Sequence, residues 1–307
     1  IISRLGRPRT RASATCIGVL CCLALAAVCG AQSYRDAPDA WLGRWTLDRL
    51  AQAKPDDYAA LGDEVESLLL ARAACGRFER LDGIADMVYA QRACRLLPAA
   101  QEAGGDEFGD WLAEHRELLR LLLRAMYEGS PAESPPRVPA AVHRLVELYK
   151  HDAERVLDYP ELAVAFATAT PQRTRGPTEA TLLEAWDYYT DGKRKFAYDL
   201  QAMPYELARY VACSRLSIEE RNWAYARYRG DRNPPKSYFD VDYDIDHYLK
   251  GIPKEISRHD YTLANLREYC GVCIDQAYYA TGVCRSLGIP ASIITGSVAL
   301  NVSSKIS

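Results

Sequence analysis

The sequence predicts a mainly α-helical protein, in which a helical region from about 32 to 229 precedes an incomplete α+β core from 230 to 307. Three observations lead to this division. Apolar residues recur with a helical period through the first region. The chain changes character at residues 230–235, after which bulky and acidic residues alternate. A helix flanked by glycines then leads into a short β-branched stretch that ends at Gly296.

Two apolar stripes and two helix starts define the helical region. Proline-rich residues 130–139 separate the stripes, because proline cannot donate a hydrogen bond within a helix. A second break ends at Pro177 and predicts a helix that begins near Thr178. Ser217 and Glu220 have the spacing of a capping box, which predicts another helix start. The predicted stripes are Trp111, His115, Leu118, Leu119, Leu122 and Met126 in one helix, and Val142, Leu145, Val146, Tyr149, Ala153 and Val156 in the next.

The N-terminal residues have the three-part pattern of a secretory leader. An uncharged apolar run from Cys16 to Val28 follows several arginines, and the small residues of 29–31 come after it. The run is too short for a bilayer span, which needs about 20 residues. We therefore expect a signal peptide at 1–31, export to the periplasm or the extracellular space, and no transmembrane span afterwards. A short buried helix and a lipid anchor on Cys29 are the alternatives. The leader arginines are Arg4, Arg7, Arg9 and Arg11.

Charge and cysteine content exclude several other classes. The formal net charge is −3 and no block of like charge occurs, so we expect no nucleic-acid partner. An exported chain is permitted disulfides, but the cysteine density after the leader is far below that of a disulfide-stapled domain. We assign no bridge, no metal and no cofactor. The cysteines that follow the leader are Cys75, Cys94, Cys213, Cys270, Cys273 and Cys284.

Residues 238–246 alternate bulky and acidic side chains with a period of two. This alternation predicts a half-exposed strand or extended segment. A calcium loop is the alternative, because Asp240, Asp242, Asp244 and Asp246 carry suitable oxygen ligands. Calcium loops also need a glycine turn and a distal glutamate at fixed spacing, and the segment has neither. A solvated strand face is therefore the preferred interpretation.

Cys273 is predicted to stand at the start of a helix. The helix should end near Leu287, since Gly288 suits a left-handed closing position and Pro290 cannot continue it. Gly271 lets the backbone approach closely before this helix. Unpaired N–H groups at a helix start favour a negative sulfur and point where an oxyanion would form. The predicted inner face contains Ile274, Ala277, Tyr278, Thr281, Cys284 and Leu287.

Two blocks in this region resemble the transglutaminase-like superfamily. They are Gly-x-Cys-x-Asp-x-Ala at residues 271–277 and Arg-x-x-Gly-Ile-Pro-Ala at residues 285–291, followed by a predicted strand at 293–295. The resemblance implies a papain-like arrangement of Cys, His and Asp, with Cys273 as the nucleophile. It also implies that the other motif residues support the site: Gly271, Asp275, Arg285, Gly288 and Pro290.

The same resemblance implies a His and an Asp in strands after this helix. All five histidines precede Cys273, and we interpret His115 and His143 as packed or half-exposed helical residues. We therefore expect a C-terminally truncated core that lacks the His/Asp half and has little activity as given. The family chemistry would be acyl transfer or hydrolysis through a thioester on a peptide or carboxamide.

Three alternatives remain for Cys273. The chain could be a non-catalytic exported binding or scaffold protein. Cys270 and Cys273 also form a Cys-x-x-Cys pair at a helix start, which is typical of redox proteins. A zinc site with Cys284 is the weakest, because that residue lies on the apolar face and no second ligand pair exists. The substrate and the oligomeric state stay open.

Overall fold

Helices make up most of the described chain. The computed structural model describes residues 39–75, 81–127, 138–170 and 176–294, so the predicted leader lies outside them. The described ranges are mainly helical, as predicted, and contain no strand. Two isolated backbone bridges occur there, between Glu179 and Leu216 and between Tyr243 and Gly271. The β part of the C-terminal core therefore stays a prediction. No described helix is both long enough and apolar enough to cross a membrane.

The chain divides into two compact units, residues 1–98 and 99–307. The first unit contains α1 (Asp39–Gln52), α2 (Tyr58–Cys75) and most of α3 (Leu81–Gly104). Arg72 and Asp39 form a buried ion pair between α2 and α1, with Arg72 Nε 2.7 Å from Asp39 Oδ1. Gly83 lets α3 approach α1, because a Cβ at that position would lie 2.0 Å from the Asp39 carbonyl oxygen.

The second unit is built around a short buried helix. Its helices are α4 (Asp106–Glu114), α5 (Arg116–Tyr127), α6 (Val138–Asp158), α7 (Pro160–Thr168), α8 (Leu182–Thr190), α9 (Tyr205–Ala212), α10 (Ile218–Tyr228), α11 (Ile245–Lys250), α12 (Leu263–Glu268) and α13 (Cys273–Ser286). Every residue of α7 from Leu162 onward is buried, and α5, α6 and α9 pack around it. Phe166 of α7 meets Trp186 of α8 edge to face at 5.9 Å. Both α8 and α10 in turn contact α13. The predicted domain boundary near 230 lies inside this unit and stays a prediction.

The first predicted stripe spans two helices and not one. The chain leaves helical geometry at His115, where φ is −91° and ψ is 67°. The His115 ring Nδ1 donates to the Trp111 carbonyl at 2.7 Å, which is also the acceptor of the His115 backbone N–H. The apolar stripe did not indicate this break, because Leu112 before it and Leu118 after it are both buried. The second stripe lies in α6, with a non-helical Asp152 near its end.

One predicted helix start is confirmed and another is displaced. Ser217 caps α10, as its Oγ accepts from the N–H of Glu220 at 3.2 Å. By contrast, α8 begins at Leu182 and not near Thr178. Thr181 and Glu184 form a reciprocal capping box, in which each side chain accepts from the other's backbone N–H. This capping box fixes the start, and the sequence interpretation missed it.

The predicted strand at 238–246 is wrong. Residues Pro234–Asp240 form a 3-10 helix, and α11 begins at Ile245. Asp240 and Asp244 bind specific partners and do not contribute to a solvated strand face. Asp240 accepts from the Tyr228 hydroxyl at 2.5 Å, and Asp244 caps α11 by accepting from the N–H of His247 at 2.9 Å. Within this segment, only Tyr243 forms a β-bridge, and its partner is Gly271.

Candidate active site at the start of the Cys273 helix

Cys273 is the first residue of α13, as predicted, and its side chain is exposed. Val272 before it has extended backbone geometry, and its carbonyl accepts from the N–H groups of Asp275 and Gln276 at 2.8 and 3.0 Å. The N–H groups of Cys273 and Ile274 have no hydrogen-bond partner within the described residues. These are the free donors of a helix start, on which stabilisation of an anion depends.

Gly271 fixes the turn that precedes the helix. Its N–H donates to the Asp242 carbonyl at 2.9 Å, and its own carbonyl accepts from the N–H of Asp244 at 2.8 Å. A Cβ on Gly271 would lie 2.6 Å from the Cβ of Asp275, so no larger residue fits without displacement. The close approach predicted at Gly271 is therefore present. The left-handed backbone of this turn falls instead on Cys270, with φ of 51°.

Asp275 is buried beneath the helix start. Its carboxylate accepts from Lys254 Nζ at 2.6 Å, from the Tyr261 hydroxyl at 2.5 Å and from the Val272 N–H at 2.9 Å. Burial alone would raise the pKa of Asp275, but the hydrogen bonds from Lys254, Tyr261 and Val272 together hold it below its usual range. Asp275 is thus an ionised, buried support for the turn. Lys254 and Tyr261 lie outside the sequence motif, so no local sequence signal indicated their part in the site.

The second motif block closes the far end of α13. Arg285 is buried and donates from Nε to the Ala291 carbonyl at 2.9 Å. Gly288 has a φ of +72°, as expected for a left-handed closing position, and lies against Phe196. Pro290 follows it and lines a cavity of about 480 Å³ with Ile289. These residues lie where the chain leaves the helix.

The helix buries only half of the predicted inner face, namely Thr281, Cys284 and Leu287, together with residues outside that prediction. Tyr279, Val283 and Leu287 enter the core that α10 and α12 share with it, whereas Ile274, Ala277 and Tyr278 are half-buried. Gln276 is buried because its side-chain amide donates to the Val241 carbonyl at 2.8 Å. Every residue from Thr281 to Leu287 is buried. Hydrophobic periodicity could not find this face, because hydrogen-bonded polar residues form part of it.

Cys273 differs from the other described cysteines. All five whose side chains are described are free thiols, and Cys273 alone among them is exposed. Burial, followed by the nearby charges of Asp244, Glu255 and Asp242, raises the pKa of Cys270. Burial raises the pKa of Cys284 to about 11. Cys273 is therefore the best placed of these five thiols to react.

Tyr243 is a neighbour of the Cys273 thiol. Partial burial and then the charge of Cys273 raise the pKa of Tyr243. Its ring meets that of Tyr248 at 6.2 Å between centroids. Further large apolar side chains are exposed on α11 and in the chain before and after it: Phe239, Ile245, Leu249 and Ile252. Cys273 therefore has an aromatic neighbour in Tyr243, and several large apolar side chains are exposed in the stretch of chain around this tyrosine.

No histidine is hydrogen-bonded to Cys273 in the described part of the chain. His143 is exposed on α6, and His115 is half-buried against Trp111. The remaining three have contacts of their own: His151 with Asp187 at 2.8 Å, His247 with the Ile252 carbonyl at 2.5 Å, and His259 stacked on Tyr269 at 3.6 Å.

Within the described ranges, no group of three or more His, Cys, Asp or Glu side chains is placed to hold a metal. Three of the four aspartates considered as calcium ligands have other partners: Asp240 binds Tyr228, Asp244 caps α11, and Asp246 pairs with Lys250. Nothing in this arrangement favours the calcium or the zinc alternative.

Comparison with known families identifies the same region. Residues 235–306 match the model of the Transglutaminase-like superfamily. This range includes Cys273, Lys254, Tyr261 and both motif blocks. Comparisons with curated proteins and with solved structures gave no match. The chain therefore carries a transglutaminase-like domain at residues 235–306.

Proposed function

We propose that Cys273 is the nucleophile of an acyl-transfer or hydrolysis site that acts on a peptide or carboxamide. The thiolate would attack the carbonyl carbon, and the amine would leave to give a thioester on Cys273. Water or a second amine would then release the acyl group. One observation carries this proposal: Cys273 is exposed at the start of α13, next to N–H groups that have no partner among the described residues.

The roles of the neighbouring residues follow from their contacts. Gly271 and Asp275 hold the turn that presents Cys273. Arg285, Gly288 and Pro290 fix the far end of α13 and the chain beyond it. Tyr243 neighbours the Cys273 thiol and would contact the substrate. None of these contacts decides between hydrolysis and transfer to an amine.

We propose that residues 1–307 form the thioester but turn it over slowly. A general base within hydrogen-bond reach activates a cysteine and protonates the leaving amine. No histidine has this relation to Cys273 in the described residues. An activated ester avoids this need, because p-nitrophenolate leaves without a proton.

The test is a burst experiment with p-nitrophenyl acetate, followed by peptide mapping. We expect about one equivalent of p-nitrophenolate, an acetyl group on the peptide containing Cys273, and slow release afterwards. Cys270→Ser should keep the burst and Cys273→Ala should lose it. Absence of the adduct from the wild-type Cys273 peptide would contradict the proposal.

The non-catalytic and redox alternatives give other results. A scaffold protein would show no burst. A redox pair would need Cys270 as much as Cys273, so Cys270→Ser would impair both oxidation and thiol reactivity. The raised pKa of Cys270 argues against this pair, because the thiolate is the form that exchanges.

We also propose that the protein is exported, on the basis of the leader pattern at 1–31. Expression of the full chain, cell fractionation and N-terminal sequencing test this. Recovery outside the cytoplasm of a chain that begins at Gln32 is the expected result. Recovery of an uncleaved cytoplasmic chain would contradict it.

A further inference from the structure

Asp275 presents an electrostatic problem for the proposed site. It lies two residues after Cys273 in the first turn of α13, is fully buried and is held in its ionised form. A carboxylate at this position supports the turn, because it accepts the Val272 N–H at 2.9 Å. Its negative charge also opposes the formation of a thiolate on Cys273.

Lys254 supplies the opposite charge at the same place. Its ammonium group lies 2.6 Å from Asp275 Oδ2, the same oxygen that accepts the Val272 N–H. The Lys254 side chain is 18% exposed, so solvent screens this pair weakly. The Tyr261 hydroxyl donates to the other oxygen at 2.5 Å. The carboxylate is therefore held from both sides.

These contacts join a separate stretch of chain to the nucleophile turn. Lys254 stands directly before the 3-10 helix Glu255–Arg258, and Tyr261 precedes α12. Both lie outside the Gly-x-Cys-x-Asp-x-Ala block. Tyr261 is also held by the ring of Tyr278, with centroids 5.3 Å apart. Their placement on Asp275 thus depends on the fold and not on local sequence.

We propose that Lys254 and Tyr261 are positioning residues that neutralise Asp275, so that its carboxylate can support the start of α13 without suppressing the Cys273 thiolate. This inference rests on the proposed role of Cys273. Lys254 and Tyr261 act through Asp275 and do not touch the reacting atoms. Lys254 supplies a full charge, and Tyr261 adds one hydrogen bond.

The test measures the rate of iodoacetamide alkylation of Cys273 between pH 6 and 10 in the folded full-length chain, by peptide mapping. In Lys254→Met, Asp275 keeps the donors Tyr261 and Val272, which favour its ionised form. Its uncompensated charge should move the half-maximal pH upward and slow alkylation at pH 7 by about threefold or more. Tyr261→Phe should give a smaller shift in the same direction.

Two matched variants separate this charge effect from a loss of structure. Lys254→Arg keeps the positive charge and should keep the wild-type profile. Lys254→Met/Asp275→Asn removes both charges and should return the half-maximal pH toward the wild-type value. The other charged and titratable groups near this turn, namely Cys270, Tyr243, Asp242, Asp244 and Glu255, are the same in every variant. Circular dichroism at each pH establishes that the variants are folded.

The outcomes distinguish this inference from the proposed function. A Cys273 that alkylates rapidly in the wild type, with unchanged profiles in Lys254→Met and Tyr261→Phe, would overturn the role of both residues and leave the nucleophile intact. A wild-type Cys273 no more reactive than in the urea-unfolded chain would overturn both proposals. If Lys254→Met does not fold, the pH profile of Cys273 alkylation in Tyr261→Phe decides whether the inference holds.

Discussion

The hydroxyl of Tyr189 donates a hydrogen bond to the carbonyl oxygen of Arg285 at 2.9 Å, which joins α8 to the end of α13. The same hydroxyl accepts from Nη1 of Arg221 at 2.7 Å. Arg221 is fully buried and also donates hydrogen bonds to the carbonyls of Leu216 and Ser214. The helix that carries Cys273 is thus anchored at its far end by residues that precede the transglutaminase-like domain.

We expect Tyr189→Phe to destabilise the folded protein by about 1–3 kcal/mol, because a buried guanidinium and a buried carbonyl each lose a partner. Denaturant unfolding followed by circular dichroism measures this change. Tyr198→Phe is a suitable control, since Tyr198 is 58% exposed and should tolerate the loss of its hydroxyl. Equal midpoints for the two variants would show that the Tyr189 hydroxyl does not anchor the helix.

Local signals predicted the start and end of the Cys273 helix well. Gly288 and Pro290 indicated its end, and the motif blocks indicated the position of Cys273. These signals lie within the helix or next to it. The buried support beneath Cys273 could not be predicted, because Lys254 and Tyr261 reach Asp275 from 21 and 14 residues away. Nothing in a single sequence identifies which lysine will pair with a given carboxylate.

Hydrophobic periodicity predicted the wrong secondary structure where side chains form hydrogen bonds with the backbone. The alternation at 238–246 indicated a strand, but the Asp244 carboxylate caps α11 and so breaks the extended chain. The stripe through His115 indicated one helix, although the apolar face continues across a break. In both places hydrogen bonding determines the backbone conformation, whereas the hydrophobic pattern indicates only which side of the chain is buried.

The displaced start of α8 is testable by comparing two threonines. Thr181 accepts from the N–H of Glu184, so Thr181→Ala should destabilise the protein by about 1 kcal/mol. Thr178 is exposed and has no capping role, so Thr178→Ala should change stability by less than about 0.5 kcal/mol. Thermal unfolding of the two variants makes the comparison. A larger loss of stability in Thr178→Ala than in Thr181→Ala would instead support the helix start near Thr178 that the sequence predicted.

We expect the titration of Glu220 to lower the free energy of unfolding as pH rises. Burial is the main reason that the pKa of this carboxyl is raised above its ordinary value of 4.5, although it accepts the Leu263 N–H at 3.0 Å. Its Oε2 atom is buried without a hydrogen-bond partner among the described residues. Above the unfolded pKa, the unfolded chain loses this proton more readily than the folded one, so unfolding becomes easier.

The variant Glu220→Gln removes this titration while keeping an oxygen for the Leu263 N–H. The free energy of unfolding of the wild type should therefore decline relative to the variant from about pH 4.5 upward, until the folded carboxyl is also ionised. Urea unfolding at half-unit intervals from pH 4 to 8 measures the difference. Parallel profiles would show that Glu220 has the same proton affinity in both states.

Gly271→Ala should impair both the fold around Cys273 and its reactivity. The new Cβ would lie 2.6 Å from the Cβ of Asp275, which is itself fixed by Lys254 and Tyr261 and cannot move aside freely. We expect a loss of about 1–3 kcal/mol in stability from overpacking, because the turn must shift. That shift should also slow alkylation of Cys273, since the free N–H groups at the start of α13 move with it.

Gly176→Ala is the matched control for this last change. A Cβ there meets nothing closer than 3.4 Å, and its backbone is not left-handed, so both stability and Cys273 alkylation should stay near the wild-type values. Urea unfolding and alkylation at pH 8 are measured on both variants. If Gly271→Ala matched Gly176→Ala in both measurements, the approach of Gly271 to Asp275 would have no part in presenting Cys273.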